Sequence, residues 1–206
     1  KHYRGCYGHG ISRVNRKIMS RKGIRFNWVG AFSPQTRGGH RSHPPKSWKI
    51  WEQKINNKEN QKAIRSAMSA TLNQELVEKR GHELPAGYPF IMDSSIEQLI
   101  KSKDAEKLML TLGLEKEMER ACIKKIRAGI GKMRGRKYQT KKSLLIVVSE
   151  NCPLIKAAKN FMGVEVVPAN ALNVELLAPG ALAGRLTLWT KKAVDLIGKN
   201  KLFISK

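Results

Sequence analysis

The chain contains one glycine-lysine motif whose residue types could hold a phosphate group. Gly129, Ile130, Gly131 and Lys132 place a lysine directly after two closely spaced glycines, and the backbone N–H groups of such loops can bind phosphate oxygens. A nucleotide-binding phosphate loop has a four-residue spacer before its Gly-Lys pair, and Ser or Thr follows the lysine. The motif has neither feature, and it precedes a predicted strand where a phosphate loop would follow one. The sequence therefore predicts no nucleotide site here.

Histidines and cysteines could supply metal ligands or a catalytic base. His2, Cys6 and His9 lie close together, but a closed zinc site needs four ligands and no CxxC or HxxxH pair completes the set. The other three histidines have no companions in the sequence that indicate a Ser-His-Asp or Cys-His arrangement. No pair of carboxylates stands out for acid–base work. We therefore expect no metal, no cofactor and no catalysis.

The strongest chemical signal is positive charge. The 206 residues include 40 Lys and Arg against 16 Asp and Glu, which gives a formal net charge of +24 and an isoelectric point near 10.3. A compact protein with this charge repels itself unless a polyanion neutralises it. Nucleic acid is the expected partner. A membrane is not, because no apolar run reaches 18 residues and the basic residues do not share one amphipathic helix.

The compartment can also be predicted from the sequence. The N-terminus has neither the apolar core nor the cleavage pattern of a signal peptide. Cys6, Cys122 and Cys152 are widely separated, which favours a reducing compartment over a disulfide framework. We expect the protein to be cytoplasmic.

Residues 1–51 form a first region, because the first acidic residue is Glu52 and twelve basic residues precede it. The region is rich in glycine, its aromatic residues are scattered, and no period of 3.6 or 2.0 persists. Such a segment buries too little apolar surface to order itself, so we expect a long extended basic arm that is mobile when alone. Its glycines allow close approach to phosphates, and its aromatic side chains can stack on unpaired bases. The alternative is a disordered basic tail without a defined path.

A second acid-free interval lies within residues 120–149. Its centre, residues 127–142, is here called the basic loop and carries three alternating glycines among crowded Lys and Arg residues. The glycines prevent a helix from continuing through it. A solvated loop is one interpretation, but two separate basic, glycine-rich regions favour a bipartite RNA-binding surface.

Residues 52–206 have the pattern of a folded α/β domain. Helices are predicted over residues 58–80, 103–112, 114–126, 153–161 and 191–197, with a short helical turn over 174–177. A capping box of Ser94 and Glu97 predicts a further helix start. Strands are predicted over residues 90–92, 143–148, 164–167 and 184–189. Because strands and helices alternate, we expect a three-layer domain with a largely parallel sheet.

Several motifs resemble one family. Residues 37–46 (RGGHRSHPPK) are similar to the arm of the universal large-subunit ribosomal protein L-four family in its archaeal form. Agreement extends to residues 8–14 (GHGISRV), 61–67 (QKAIRSA), 80–82 (RGH) and the basic loop. It also includes residues 177–180 (LAPG) and 184–190 (GRLTLWT), so the resemblance covers essentially the whole chain.

The resemblance implies a structural constituent of the large ribosomal subunit. It implies an arm that threads through rRNA, with its tip within residues 11–35 helping to form the constriction of the polypeptide exit tunnel. The implied partners are large-subunit rRNA, neighbouring large-subunit proteins and the nascent polypeptide. The implied rRNA-binding residues are Arg13, Arg16, Lys17, Arg21, Lys22, Arg25, Arg37, Arg41, Lys46, Lys132, Arg134, Arg136 and Lys137.

The sequence departs from the family at its start. Family members begin with a strand, a helix and the first part of the arm, roughly fifty residues that this sequence does not contain. The sequence also leaves two rivals to the structural role. One is an RNA-modifying enzyme with a basic substrate-binding arm, and the other is a nucleoid or membrane-surface protein. Binding of a nucleotide or methyl-donor cofactor would favour the enzyme.

Overall fold

A computed structural model of the chain describes residues 8, 16–30, 33–35 and 39–204. These residues divide into two units, one ending at Gln53 and the other beginning at Lys54. In the first unit, strands β1 (Arg16–Lys22) and β2 (Arg25–Gly30) pair antiparallel. They form a hairpin, residues 16–30, that the sequence pattern did not predict.

The hairpin is built from a tight turn and one irregularity. Gly23 is the first of its two turn residues and has φ +59°, a conformation that this class of two-residue turn assigns to glycine. The register shifts between Ile18 and Ser20, so Met19 forms a bulge. The bulge disrupts the alternation of the side chains, which explains why no period of two was visible in the sequence.

The second unit contains seven helices and six strands among its described residues. The helices are α1 (Asn57–Thr71), α2 (Gln74–Lys79), α3 (Ser102–Thr111), α4 (Glu115–Cys122), α5 (Pro153–Ala158), α6 (Val174–Leu177) and α7 (Lys191–Lys199). The strands are β3 (Ile91–Met92), β4 (Lys125–Ile126), β5 (Tyr138–Gln139), β6 (Leu145–Val148), β7 (Glu165–Pro168) and β8 (Thr187–Thr190). The described part also has 3₁₀ turns at Ser94–Gln98, Ile130–Lys132, Ala169–Ala171 and Pro179–Ala181.

Four parallel strands form the central sheet in the order β3-β8-β6-β7. Helices cover both faces of the sheet. Leu144, Ile146 and Val148 pack on one face with residues of α2, α3 and α5. Leu145 and Val147 pack on the opposite face with residues of α1, α6 and α7. The predicted three-layer α/β domain is therefore confirmed, and its continuous apolar strand is the buried β6.

Other boundaries were predicted wrongly for local reasons. The expected helix over residues 58–80 is two helices, because the Asn73 side chain accepts a hydrogen bond from the Leu76 N–H (3.4 Å) and begins α2. The expected helix over 114–126 ends at Cys122, and Lys125–Ile126 pairs with β5 instead. The strand expected at residues 90–92 is the short edge strand β3, in which Ile91 is 60% exposed.

The predicted capping box is also wrong. Asp93 is the residue that precedes the 3₁₀ turn, and its carboxylate accepts a hydrogen bond from the Ser95 N–H (3.4 Å). Glu97 is buried, and its carboxylate accepts hydrogen bonds from the Ser149 N–H (3.0 Å) and the Thr190 hydroxyl (2.6 Å). Glu97 thus joins the ends of β6 and β8.

Gly184 occupies a position that excludes any other residue. Its φ is +85°, and a Cβ there would lie 2.6 Å from the Leu76 carbonyl oxygen. We expect Gly184→Ala to lower the free energy of unfolding by about 3 kcal/mol. The alanine would be strained at this positive φ, and its Cβ would also force the backbone of α2 to move. Gly180→Ala is the matched control, since Gly180 has φ +74° in open space and should lose only about 1 kcal/mol. Equal losses in urea denaturation would contradict the close-approach argument.

Candidate nucleic-acid interface

Cationic residues line the hairpin. Lys17, Arg21 and Lys22 lie on β1, Arg25 begins β2, and all four are exposed. Arg16 is the first residue of β1. The predicted contacts Arg13 and Arg37 lie outside the described residues. The hairpin therefore presents several positive charges along one narrow ribbon, which suits contact with successive phosphates.

A second cationic stretch follows in the same unit. Arg41 and Lys46 are exposed. The Lys46 ammonium lies 5.1 Å from the centroid of the Trp48 ring, and the Lys49 ammonium lies 4.8 Å from that of Trp51. Both indoles are largely exposed despite these contacts. Exposed aromatic rings beside cations are the combination that binds unpaired bases and their phosphates.

The basic loop has an ordered backbone. β4 and β5 pair antiparallel at its base, and the Arg127 N–H donates to the Lys137 carbonyl at 2.8 Å. The Arg136 N–H donates to the Gly131 carbonyl at 3.0 Å, which closes the end of the loop. Gly129 and Gly135 have φ of +81° and +78° and allow the chain to turn there. The loop is thus held by its own hydrogen bonds.

The side chains of this loop point outward. Lys132, Arg134, Arg136 and Lys137, four of the predicted rRNA contacts, are all exposed. Ile130, Met133 and Tyr138 are exposed among them, and Met133 is 88% exposed. A cationic surface interleaved with apolar side chains can contact both phosphates and the faces of bases. The residues thus brought together on one loop are the second group of predicted rRNA contacts.

The motif at Gly129 does not form a nucleotide site in the structure. Ile130–Lys132 is a single 3₁₀ turn inside the loop, and no helix N-terminus follows it. His2, Cys6 and His9, which the sequence did not predict to form a metal site, lie outside the described residues. Within the described part of the chain, no three His, Cys, Asp or Glu residues are grouped as metal ligands. No described helix is long and apolar enough to cross a membrane.

A buried carboxylate connects this loop to the domain. Glu117 on α4 accepts hydrogen bonds from the Arg120 guanidinium (2.6 and 2.7 Å), the Ser143 hydroxyl (2.7 Å) and the Glu83 N–H (3.0 Å). Its Oε1 also lies 2.8 Å from the Nδ1 of His82. Arg120 in turn donates to the Lys142 carbonyl at 3.3 Å. Glu117 therefore fixes both the chain leaving the loop and the orientation of Arg120.

The protonation state of Glu117 is set by these contacts. Burial alone raises the pKa of Glu117, but the hydrogen bonds from Arg120, His82, Glu83 and Ser143 outweigh it and lower that pKa to about 2. Burial lowers the pKa of His82, although its hydrogen bond to Glu117 acts in the opposite direction. Glu117 is thus an anion throughout the neutral range.

This shift makes folding sensitive to acid. A depressed folded-state pKa contributes stability above the ordinary value of 4.5, and that stability is lost as the pH falls towards about 2. We expect the free energy of unfolding to fall across this window by about 2–3 kcal/mol from Glu117 alone. Glu117→Gln cannot titrate, so urea denaturation between pH 5 and 2 should give a shallower decline. Parallel declines for both proteins would contradict this assignment.

The sequence did not identify every cation near the loop. Five cations line one cavity at the base of the loop: Arg80, Arg120, Lys125, Lys141 and Lys142. None was among the predicted contacts. They come from three stretches of the chain, so only tertiary packing brings them together. Two features of the sequence pointed to them: the motif at residues 80–82 contains Arg80, and Lys141 and Lys142 are the last two residues of the basic loop.

Comparison with known proteins defines the class. The model of the Ribosomal protein L4/L1 family matches residues 4–200. The large ribosomal subunit protein uL4 of Nanoarchaeum equitans is 48% identical over 202 residues, which are 98% of this chain and 75% of that protein. The uL4 of Archaeoglobus fulgidus is 45% identical (93% and 74%) and that of Pyrobaculum aerophilum 51% identical (92% and 68%).

The chain belongs to the ribosomal protein L4/L1 family. It spans about three quarters of the length of the first two of these relatives. The resemblance noted in the sequence is confirmed, and the relatives are archaeal, as it indicated. Members of this family are structural components and not enzymes, so the RNA-modifying alternative is set aside.

Proposed function

We propose that the chain is a structural constituent of the large ribosomal subunit, in the ribosome of the cytoplasm, and that it fixes large-subunit rRNA through two basic surfaces. The observation that carries this proposal is the basic loop, whose backbone is closed by internal hydrogen bonds while its Lys and Arg side chains are exposed. An ordered cationic loop loses little conformational entropy when it binds phosphates. Relatives named as large-subunit proteins support the same role.

The arm, residues 1–51, has the second role in this proposal. It threads between rRNA segments, helps to form the constriction of the exit tunnel, and contacts the nascent polypeptide and neighbouring large-subunit proteins. The hairpin supports this role because a two-stranded ribbon is narrow enough to lie between RNA helices. At about 3.3 Å per residue, β1 alone extends roughly 20 Å. Its exposed Lys and Arg residues neutralise phosphates on either side.

A photocrosslink tests the tunnel role. Ile24, in the turn of the hairpin, is almost fully exposed, and a photoreactive residue in its place should crosslink to a nascent peptide stalled in the ribosome. Ile100 of the second unit is 76% exposed and provides the control position, from which no nascent-chain crosslink is expected. Nascent-chain crosslinks from position 100 but not from position 24 would overturn the tunnel assignment while leaving rRNA binding intact.

A further inference from the structure

A cavity of about 460 Å³ lies at the base of the basic loop, whose residues 139–142 form part of its wall. Arg80, Arg120, Lys125, Lys141 and Lys142 contribute to its wall. Its described lining includes no Asp or Glu side chain. Five cations around one concavity repel each other, so the cavity favours an anion.

The nearby carboxylates neutralise only some of these cations. Glu117, behind the wall, pairs with Arg120 at 2.6 Å. Glu165 pairs with Lys142 and also with Arg185. Among the described residues, the four ion pairs leave Arg80, Lys125 and Lys141 without a carboxylate. Three positive charges around the cavity are therefore available to an anionic ligand.

Arg80 is also fixed in place. Its guanidinium donates to the Pro179 carbonyl at 2.7 Å and to the Leu182 carbonyl. Partial burial and the charges of Arg185 and Arg120 lower the pKa of Arg80. Two neutral carbonyl groups thus hold the Arg80 guanidinium in place, although Arg185 and Arg120 repel it. A bound anion would relieve that repulsion without rearranging the side chain.

The size and lining of the cavity indicate more than a bare phosphate. Its volume lies in the range that holds whole small molecules. Pro179, Gly180 and Leu182 form an apolar part of the wall, and Gln139 and Thr140 add side-chain donors and acceptors. We propose that this cavity binds one unpaired RNA nucleotide, with its phosphate at Arg80, Lys125 and Lys141 and its base against Pro179 and Leu182. This proposal rests on the proposed rRNA binding and deepens it.

The test compares single-stranded with double-stranded RNA. The full chain is titrated with a 12-nucleotide strand of mixed sequence and with a duplex of the same length, because only the strand offers unpaired nucleotides. Leu182→Ala removes the apolar surface against which the base would pack, without changing charge, and it should fold because Leu182 is 66% exposed. Lys141→Ala removes one of the phosphate partners. Lys132→Ala removes the same charge from the exposed loop, outside the cavity lining, and serves as the matched control.

The ratio of strand affinity to duplex affinity is the decisive readout. Leu182→Ala and Lys141→Ala should each lower it about fivefold, because each removes a contact that only an unpaired nucleotide in the cavity makes. Lys132→Ala should weaken both RNAs alike and leave the ratio unchanged. An unchanged ratio in all three variants would overturn the nucleotide site while leaving rRNA binding intact. Tighter binding of a free nucleoside monophosphate than of the strand would overturn the RNA assignment. Failure of the unaltered chain to bind either RNA would instead contradict the proposed function.

Discussion

Replacing Lys132, Arg134, Arg136 and Lys137 together by Ala should weaken binding to large-subunit rRNA by about 10²–10³-fold at 0.1 M salt. Each phosphate that the protein no longer neutralises lowers the slope of log K against log salt by about 0.7–0.9. Removing four such cations therefore reduces that slope by about 3. The four side chains are exposed and the loop backbone is closed by backbone hydrogen bonds, so the fold should be unaffected. Filter binding between about 50 and 200 mM salt measures both quantities.

The control for this variant removes the same charge elsewhere. Lys101, Lys103, Lys107 and Lys116 are exposed and lie in or beside α3 and α4, outside the basic loop and the cavity lining. Their replacement by Ala should change the slope by much less, because it removes long-range attraction but no direct phosphate partner. If both quadruple variants lose affinity and slope equally, the interaction depends on net charge alone and the loop is not a specific surface.

Replacing Arg185 by Ala should lower the free energy of unfolding by about 3–5 kcal/mol. The Arg185 side chain is fully buried and donates to the Ser143 carbonyl (2.7 Å), the Leu176 carbonyl (2.9 Å) and the Glu165 carboxylate (2.6 Å). These partners belong to three separate parts of the domain. Without the guanidinium, the Ser143 and Leu176 carbonyl groups lose this donor, the Glu165 carboxylate keeps only Lys142, and a cavity remains. Denaturation in urea, followed by circular dichroism, measures the loss.

Lys142→Ala is the matched control for Arg185, because both cations pair with Glu165. The Lys142 side chain is 53% exposed, whereas that of Arg185 is fully buried. Solvent screens the exposed pair, so its removal should cost less than about 1 kcal/mol. A loss for Lys142→Ala as large as that for Arg185→Ala would mean that Glu165, and not burial of Arg185, accounts for the effect.

The sequence predicted the central sheet well because its strands differ sharply from their surroundings. The run over residues 143–148 has no polar residue after Ser143, and a strand covered on both faces requires that pattern. The sequence predicted local exceptions poorly. Glu97 has the spacing of a capping residue, yet its carboxylate bonds to Ser149 and Thr190, partners 52 and 93 positions away. Periodicity carries no information about partners so distant.

The candidate interface likewise has a part that the sequence predicted and a part that it did not. Charge crowding along the chain was enough to predict the basic loop and the cations of the hairpin. The cavity was not predictable, because Arg80 and Arg120 approach Lys125 and Lys141 only after α2, α4 and the sheet have packed. Composition likewise does not show which ionic groups, such as Glu117, are buried. The partners and burial that the fold gives such a group decide its pKa and its structural role.

An integral component of the large ribosomal subunit should stay bound to that subunit in high salt. The most direct measurement is sedimentation of the tagged protein from cell lysate, with the ribosomes first washed in high salt. A protein held on RNA only by ionic contacts to six to ten phosphates loses about 10³–10⁵-fold in affinity between 50 and 200 mM salt. Retention in the large-subunit peak after the wash is the predicted result, because an arm threaded through rRNA, as we propose, would not exchange freely. Complete release into the soluble fraction would contradict the account.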